Sequence, residues 1–366
     1  MNRDWAKATL GDFVRLQRGY DLPDSQRRGG HVPVIGSAGI TGYHDTARAK
    51  GPGVTLGRSG ASFGVVNYSP VDYWPHNAAL YVTDFQGNDE RFAYYLLKSL
   101  DFKNFNSGSA QQSLNRNFIY PIQISIPPLP IQRRIAALLT AYDNLLENNT
   151  RRIQILEEMA QRIYEEWFVR FRFPGHENVS LVESELGLIP EGWTLKRLGE
   201  ALELVYGKAL KADEREEGNV PVYGSSGIVG FHNVPLVREA GIIVGRKGNV
   251  GSVHLSAGPF YAIDTVYYTK TELPLSYVFF NLKRQNFINN DAAVPGLNRN
   301  QAQSLPFILP TENLLNSFDK LAQNLFGLSR KLQAKNGNLR QSRDLLLPKL
   351  ISGEIDVSNF PEAVTD

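Results

Sequence analysis

Between Pro127 and Phe173 apolar side chains recur at steps of four and three: Ile131, Ile135, Leu138, Tyr142 and Leu145, then Ile153, Leu156, Ala160, Ile163 and Trp167. That spacing lays one apolar stripe along a helix. From Ile131 to Phe173 there is no proline and no glycine, so nothing in the segment interrupts a helix. At ~1.5 Å per residue, about forty residues make a helix roughly 60 Å long. A core that size is not available to cover it, so a second long helix is expected alongside. From Thr311 the chain supplies Leu314, Phe318, Leu321, Leu325, Leu328, Leu332, Leu339 and Leu346, with Lys335 and Ser342 filling the register. This heptad pattern predicts a coiled-coil seam. Asn149 falls on the first stripe, where a buried amide fixes register or a local stutter leaves it exposed. Trp167, Phe168, Phe171 and Phe173 are too many rings for a two-helix seam and are expected to pack on a globular domain or a partner.

The segment between the helices repeats the one before them. VPVIGSAGITGYH at 32–44 matches VPVYGSSGIVGFH at 220–232 in nine of thirteen positions, an offset of 188. The same offset carries Trp5 to Trp193, Leu10-Gly11 to Leu198-Gly199 and Gly57-Arg58 to Gly245-Arg246. LNRN at 114–117 recurs at 297–300, and each copy precedes an apolar run, prolines and a long helix. Short runs between glycine turns read as strands: His31–Ile35, Gly53–Leu56 and Ala79–Thr83, answered by Val220–Tyr223, Ile242–Val244 and Thr265–Thr269. Helices are expected near Glu90–Leu100 and Leu275–Lys283.

The predicted fold class is therefore α+β: two repeated mixed α/β domains joined by two long helices that form an antiparallel coiled coil with pseudo-twofold symmetry. The expected boundaries are 1–128 for the first domain, 129–175 for the central helix and 176–192 for a linker. The second domain takes 193–310, the distal helix 311–350 and a C-terminal tail 351–366. Two similar heads at a fixed separation suit a long repetitive ligand, and duplex DNA is the obvious one.

Charge qualifies that picture. The chain has 39 basic and 37 acidic residues, and the balance shifts only slightly along it: 13 basic against 10 acidic in 1–128, 12 against 13 in 179–310. A protein holding DNA unaided is usually more basic. The basic groups are then focused on one face, or a partner supplies phosphate contacts. There is no cysteine, hence no disulfide frame and no thiolate metal site. No apolar run of membrane-spanning length and no signal-peptide-like start occur, so a cytoplasmic location is the default expectation.

Catalytic signatures are missing. No G-x-x-x-x-G-K-[ST] loop, H-E-x-x-H or [DN]-P-P-[YF] motif is present, and IPPL at 126–129 lacks both the leading Asn or Asp and the aromatic. The six histidines show no metal-ligand spacing. The glycines of Gly36–Gly42 and Gly224–Gly230 are wrongly spaced for a dinucleotide loop and read as turns between strands. No cofactor is expected.

GSAGITGYH and GSSGIVGFH, the GRSG and GRKG turns, LNRN before each helix, PPLPIQRRIAALL and LLPKLISGEI together resemble the specificity subunit of a Type I restriction–modification system over nearly the whole chain. The resemblance implies two target-recognition domains, each reading one half of a bipartite double-stranded DNA sequence. It also implies helices that set the spacer and dock two methyltransferase subunits, with restriction (translocase) subunits as further partners in some systems and no membrane. The chain itself would be non-catalytic. Two other readings stand beside it: an enzyme acting on nucleic acid or sugar between the domains, and a coiled-coil adaptor without DNA contact.

Within that frame Arg58 and Arg246-Lys247 sit in Gly-Arg-x-Gly turns, where glycine lets the backbone approach a surface and the basic side chain reaches a phosphate or a guanine edge; a solvated turn arginine is the alternative. His44 and His232, each after an aromatic residue, are core or turn histidines or DNA contacts. If the domains read different half-sites, residues identical in both are poor base discriminators. Gly36, Ser37, His44, Arg58, Asn115 and Arg116, with Ser225, His232, Arg246, Asn298 and Arg299 in the second copy, then become scaffold or phosphate contacts. Base reading falls on positions that differ: Ser59 against Lys247, Ala61-Ser62 against Asn249, and the loops Gln17–Gly30 and Lys208–Gly218.

Overall fold

The computed structural model describes residues 5–108, 112–287 and 296–360. They fall into two units, Met1–Thr150 with Ala334–Asp366, and Arg151–Gln333. Both long helices cross the division, so each unit holds a stretch of each.

In the first unit β1 (Ala6–Thr9) leads into a capped turn of helix, α1 (Leu10–Phe13), where Thr9 and Asp12 close a reciprocal capping box. The strands that follow are β2 (Arg15–Arg18), β3 (Val32–Gly36), β4 (Gly39–His44), β5 (Gly53–Gly57), β6 (Val66–Ser69), β7 (Trp74–Pro75) and β8 (Ala79–Asp84). They form an antiparallel sheet ordered β2-β8-β5-β6 and a smaller one ordered β4-β3-β7, in which β3 and β7 run parallel. Helix α2 (Glu90–Ser99), N-capped by Asp89, buries Phe92, Tyr95 and Leu96 against the larger sheet. A short helix, α3 (Arg116–Ile119), and β9 (Gln123–Ile126), paired with β1, bring the chain to the central helix α4 (Leu129–Tyr164).

The second unit repeats this order. The strands are β12 (Thr194–Arg197), β13 (Glu203–Tyr206), β14 (Val220–Gly224), β15 (Gly227–His232), β16 (Gly241–Gly245), β17 (Val253–Ser256), β18 (Tyr261–Ala262), β19 (Val266–Lys270) and β20 (Pro306–Leu309). The sheets are β13-β19-β16-β17 and β15-β14-β18, with a β12–β20 ribbon, each the counterpart of one in the first unit. Helices α5 (Leu198–Ala201), α6 (Leu275–Arg284) and α7 (Arg299–Gln303) match α1, α2 and α3, and α8 (Glu312–Ile351) is the distal helix. The strands and helices expected from glycine turns and apolar runs are all present, and the fold is the duplicated α+β arrangement that the repeat predicts.

The stretch expected as a linker is more than a tether. Two strands, β10 (Leu181–Ser184) and β11 (Gly187–Pro190), pair as a hairpin, and Ile189 is buried in the core of the second unit. Helix α4 closes in a π-helical turn, Glu165–Val169, which turns Phe168 into that core. There Phe168 and Phe173 pack on Trp193, so the ring cluster at the end of the helix is covered by its own domain.

Within each unit the two long helices run antiparallel. In the first, Asp143 meets Arg343 and Asn149 meets Asn336; in the second, Glu157 meets Ser329 and Tyr164 meets Phe318. One row of the seam, Phe318, Leu325, Leu332, Leu339 and Leu346, is the one the heptads predict, and all five are buried or half-buried. The other row lies one residue further on. Leu315, Ala322, Ser329, Asn336, Arg343 and Leu350 face the partner, whereas Leu321 and Leu328 are 42% and 51% exposed. Small side chains there leave room for close approach, and the polar ones bond across the seam. On α4 the same shift brings Leu139 and Leu146 inward and leaves Leu145 outside. Asn149 is buried, and its Nδ2 donates to Asn336 Oδ1 at 2.9 Å.

Candidate nucleic-acid interface

The larger sheet of the first unit ends in a cleft, and the Gly-Arg turn at its edge is built like the one in the second unit. Gly57 closes β5 because the carbonyl oxygens of Ser62 and Ser37 come within 2.1 and 2.7 Å of where a β-carbon would stand; at Gly245 the Asn249 carbonyl lies at 2.1 Å. The glycine of each Gly-Arg turn is therefore required by the protein's own loop and not, as the sequence suggested, by the approach of a ligand. The arginine that follows is clamped through its backbone. Arg58 N–H donates to Ala78 O at 2.8 Å, and its carbonyl accepts from Leu114 N–H at 2.8 Å. Arg246 N–H donates to Thr265 O at 2.9 Å, and its carbonyl accepts from Leu297 N–H at 2.8 Å. These bonds explain why the Gly-Arg turn and the LNRN segment, far apart in sequence, recur together.

Asn115 and Asn298 spend their side-chain oxygens as helix N-caps. Asn115 Oδ1 accepts from Asn117 N–H at 3.0 Å, and Asn298 Oδ1 accepts from Asn300 and Gln301 N–H at 2.9 and 3.2 Å. The next residue is in each case an arginine that turns back onto the first strand of the larger sheet. Arg116 Nη1 donates to Leu16 O at 2.8 Å. The guanidinium carbon of Arg299 lies 5.2 Å from the ring centre of Tyr206, and that of Arg246 lies 5.0 Å from the same ring. In the first domain the cleft is about 750 Å³ in volume and includes Arg18, Tyr20, Asp21, Arg58 and Arg116 among its walls. In the second, burial and a hydrogen bond with Tyr206 push the Tyr267 phenol up to about 12, so that ring stays neutral beside the two arginines.

Other sequence candidates serve the scaffold. The His44 ring is only 3% exposed, packs edge-on against Trp74 and accepts from Arg28 N–H through Nδ1 at 3.0 Å. This burial rules out the His44 side chain as a surface DNA contact. His232 does the same work with Glu216 N–H at 3.1 Å and the Tyr261 ring, but is only half-buried. Ser225 Oγ accepts from Asn249 N–H at 3.3 Å, tying the hairpin tip to the Gly-Arg turn, while the Ser37 carbonyl accepts from Asn67 Nδ2 at 3.5 Å. Ser59 bridges to Ser113, and Lys247 to Gly296. Lys247 and Asn249 are exposed, as a base-reading role requires; Ser62 sits in a one-turn 3-10 helix, Gly60–Ser62, with its carbonyl against Gly57.

One matched pair was not singled out by the sequence reading. Arg27 Nη1 donates to Thr41 O at 2.9 Å, and Arg215 Nη1 to Val229 O at 2.7 Å, each gripping the hairpin from the loop before it. The grip sits against Gly42 and Gly230, whose φ values of +152° and +151° suit glycine. The signal was available, since Arg27 and Arg215 stand at the repeat's own offset of 188. The loops expected to read bases are thus partly anchored. No group of His, Cys, Asp and Glu suited to a metal ion occurs among the described residues, and no described helix is long and apolar enough to cross a membrane.

Comparison with known proteins agrees with this geometry. The chain is 26% identical over 302 residues to the Type I restriction enzyme MjaIX specificity subunit of Methanocaldococcus jannaschii, covering 74% of this chain and 70% of that one. It is 27% identical over 301 residues to a putative type I specificity subunit of Mycoplasma pneumoniae, covering 75% and 76%. The crystal structure of a Type I restriction–modification S subunit from M. genitalium shares the fold, with a TM-score of 0.66, 20% identity and 98% of both chains covered. The profile of the Type I restriction modification DNA specificity domain matches residues 2–158 and 190–314, one stretch for each half of the repeat, and the chain belongs to that family, as a specificity subunit of a Type I restriction–modification system.

Proposed function

We propose that each globular domain reads one half of a split double-stranded DNA target, and that the long helices fix the separation of the halves while docking two methyltransferase subunits. The chain recognises and positions; catalysis belongs to its partners, with restriction subunits joining where the system has them. The observation that carries the reading is the duplicated pair of arginines, Arg58 with Arg116 and Arg246 with Arg299, in which Arg58 and Arg246 are clamped by matching backbone hydrogen bonds. Arginines fixed in geometry but still presenting N–H groups suit phosphate or guanine contacts. The near balance of charge over the chain fits a subunit that binds DNA tightly only within its complex.

The test uses the full chain co-purified with its methyltransferase. Arg58→Ala and Arg246→Ala should each weaken DNA binding, and a lost phosphate contact should lower the salt slope by about 1. Unchanged binding in both would favour an adaptor without DNA contact. Lengthening α4 and α8 together by whole heptads should lengthen the spacer of the methylated sequence, and an unchanged spacer would exclude the helices as its ruler. Turnover by the chain alone would point to an enzyme instead.

A further inference from the structure

The two domains keep these arginines and change the strand pair beneath them. In the first domain Arg18 on β2 stands across the strand pair from Leu80 on β8; in the second, Tyr206 on β13 stands across from Tyr267 on β19. These are structurally equivalent positions, and at both the residue type differs. Arg18 is exposed, and Tyr206 is 46% exposed despite its large ring. The neighbouring cations are kept in place. Arg58 and Arg246 donate through Nη1 to the equivalent carbonyls of Asn77 and Asp264 at 3.5 and 3.0 Å. Arg116 is held by the Leu16 carbonyl, and Arg246 and Arg299 also rest over the Tyr206 ring. A position that varies while the charged groups around it are re-fixed in place is what a discriminating residue beside constant backbone contacts should look like.

We infer that these cross-strand pairs, Arg18–Leu80 and Tyr206–Tyr267, are where the sequence preferences of the two domains diverge. The inference rests on the DNA-reading function proposed above and adds the residues that discriminate. The chemistry differs in kind. Arg18 offers a fork of N–H donors able to reach the O6 and N7 acceptors of a guanine in the major groove. Tyr206 has its ring engaged by two guanidiniums and offers an aromatic edge, which suits a thymine methyl. Neither residue was among the sequence-derived candidates as an individual position. Arg18 lay unremarked within a loop range, and Tyr206 lay just outside one.

The experiment takes the full chain assembled with its methyltransferase and selects bound duplexes from a library randomised over both half-sites. Arg18→Gln is expected to relax the preference at one base pair of one half-site by roughly 5- to 150-fold and leave the other half-site as it was. Tyr206→Arg should alter the preference in the opposite half-site only, while Tyr206→Phe, which keeps the ring and both stacked arginines, should retain most of it. Thermal melting of each complex confirms folding. Unchanged preferences in both Arg18→Gln and Tyr206→Arg would overturn the inference. So would a uniform loss of affinity across all sequences, which marks a backbone contact. If the unsubstituted complex shows no sequence preference at all, the DNA-reading function itself fails.

Discussion

Asn149 and Asn336 allow a sharp test of how the helix seam is held in register. The side chains are 5% and 2% exposed, and Asn149 Nδ2 donates to Asn336 Oδ1 at 2.9 Å. Asn336 Nδ2 in turn reaches Leu146 O at 3.4 Å and Thr150 Oγ1 at 3.3 Å. Leucine has the branching and heavy-atom number of asparagine, so Asn336→Leu changes polarity more than volume. It strands the Asn149 amide in a buried site, which costs about 1–3 kcal/mol. Asn149→Leu strands Asn336 in the same way. Replacing both leaves no orphaned amide and adds an apolar contact, so the double variant should be near neutral or more stable. A urea-unfolding cycle should show each single variant destabilised and a coupling of at least about 1 kcal/mol between the sites. Because a buried amide pair specifies alignment more than stability, the double variant should also protect the middle of α4 less well against hydrogen exchange. Single variants within about 0.5 kcal/mol of the parent, with additive effects, would refute the argument, since the amides would then be satisfied by water.

Two further outcomes follow from the cores. Gly57→Ala and Gly245→Ala force a methyl group to within 2.1 Å of a backbone carbonyl and should each cost about 1–3 kcal/mol, whereas Gly29→Ala, with open space around it, should be close to neutral; thermal melting separates them. Burial raises the phenols of Tyr95, Tyr164, Tyr267 and Tyr277 above their ordinary value, so their contribution to stability is complete below about pH 10 and is lost as pH climbs beyond it. Stability against denaturant should fall steeply between about pH 10 and 12, with part of the phenolate absorbance appearing only on unfolding; all sixteen tyrosines ionising in one step with native circular dichroism would contradict this.

Much of the architecture was legible because it is written twice. The VPVxGSxGIxGxH and LNRN repeats marked equivalent strands and turns, and the proline-free stripe marked α4. What the apolar pattern concealed was the polar half of the seam. Leu321 and Leu328 drew the register one residue early, because the true positions are Ala322, Ser329, Asn336 and Arg343, which carry little hydrophobic signal and earn their place by size and hydrogen bonding. The hairpin at Leu181–Ser184 and Gly187–Pro190 was hidden for a similar reason: its polar, glycine-bounded sequence reads as a tether, and only its last two residues, Ile189 and Pro190, are buried. At the Gly-Arg turns the sequence revealed which residues recur but not what they bond to. Asn115, Asn298 and His44 turn out to be spent on caps and loop amides.

The division of the chain has a consequence for how the protein is made and how it can diversify. The first unit is discontinuous: Ile135 and Leu139 share a core with Leu347 and Leu350, some two hundred residues later. A ribosome that has released the first recognition domain has not yet supplied the turns that finish it, whereas Arg151–Gln333 is contiguous and can close as soon as it emerges. A swap of the second head can therefore be confined to one contiguous segment bounded within the two long helices, whereas a new first head must also fit the C-terminal stretch of α8 that completes its core.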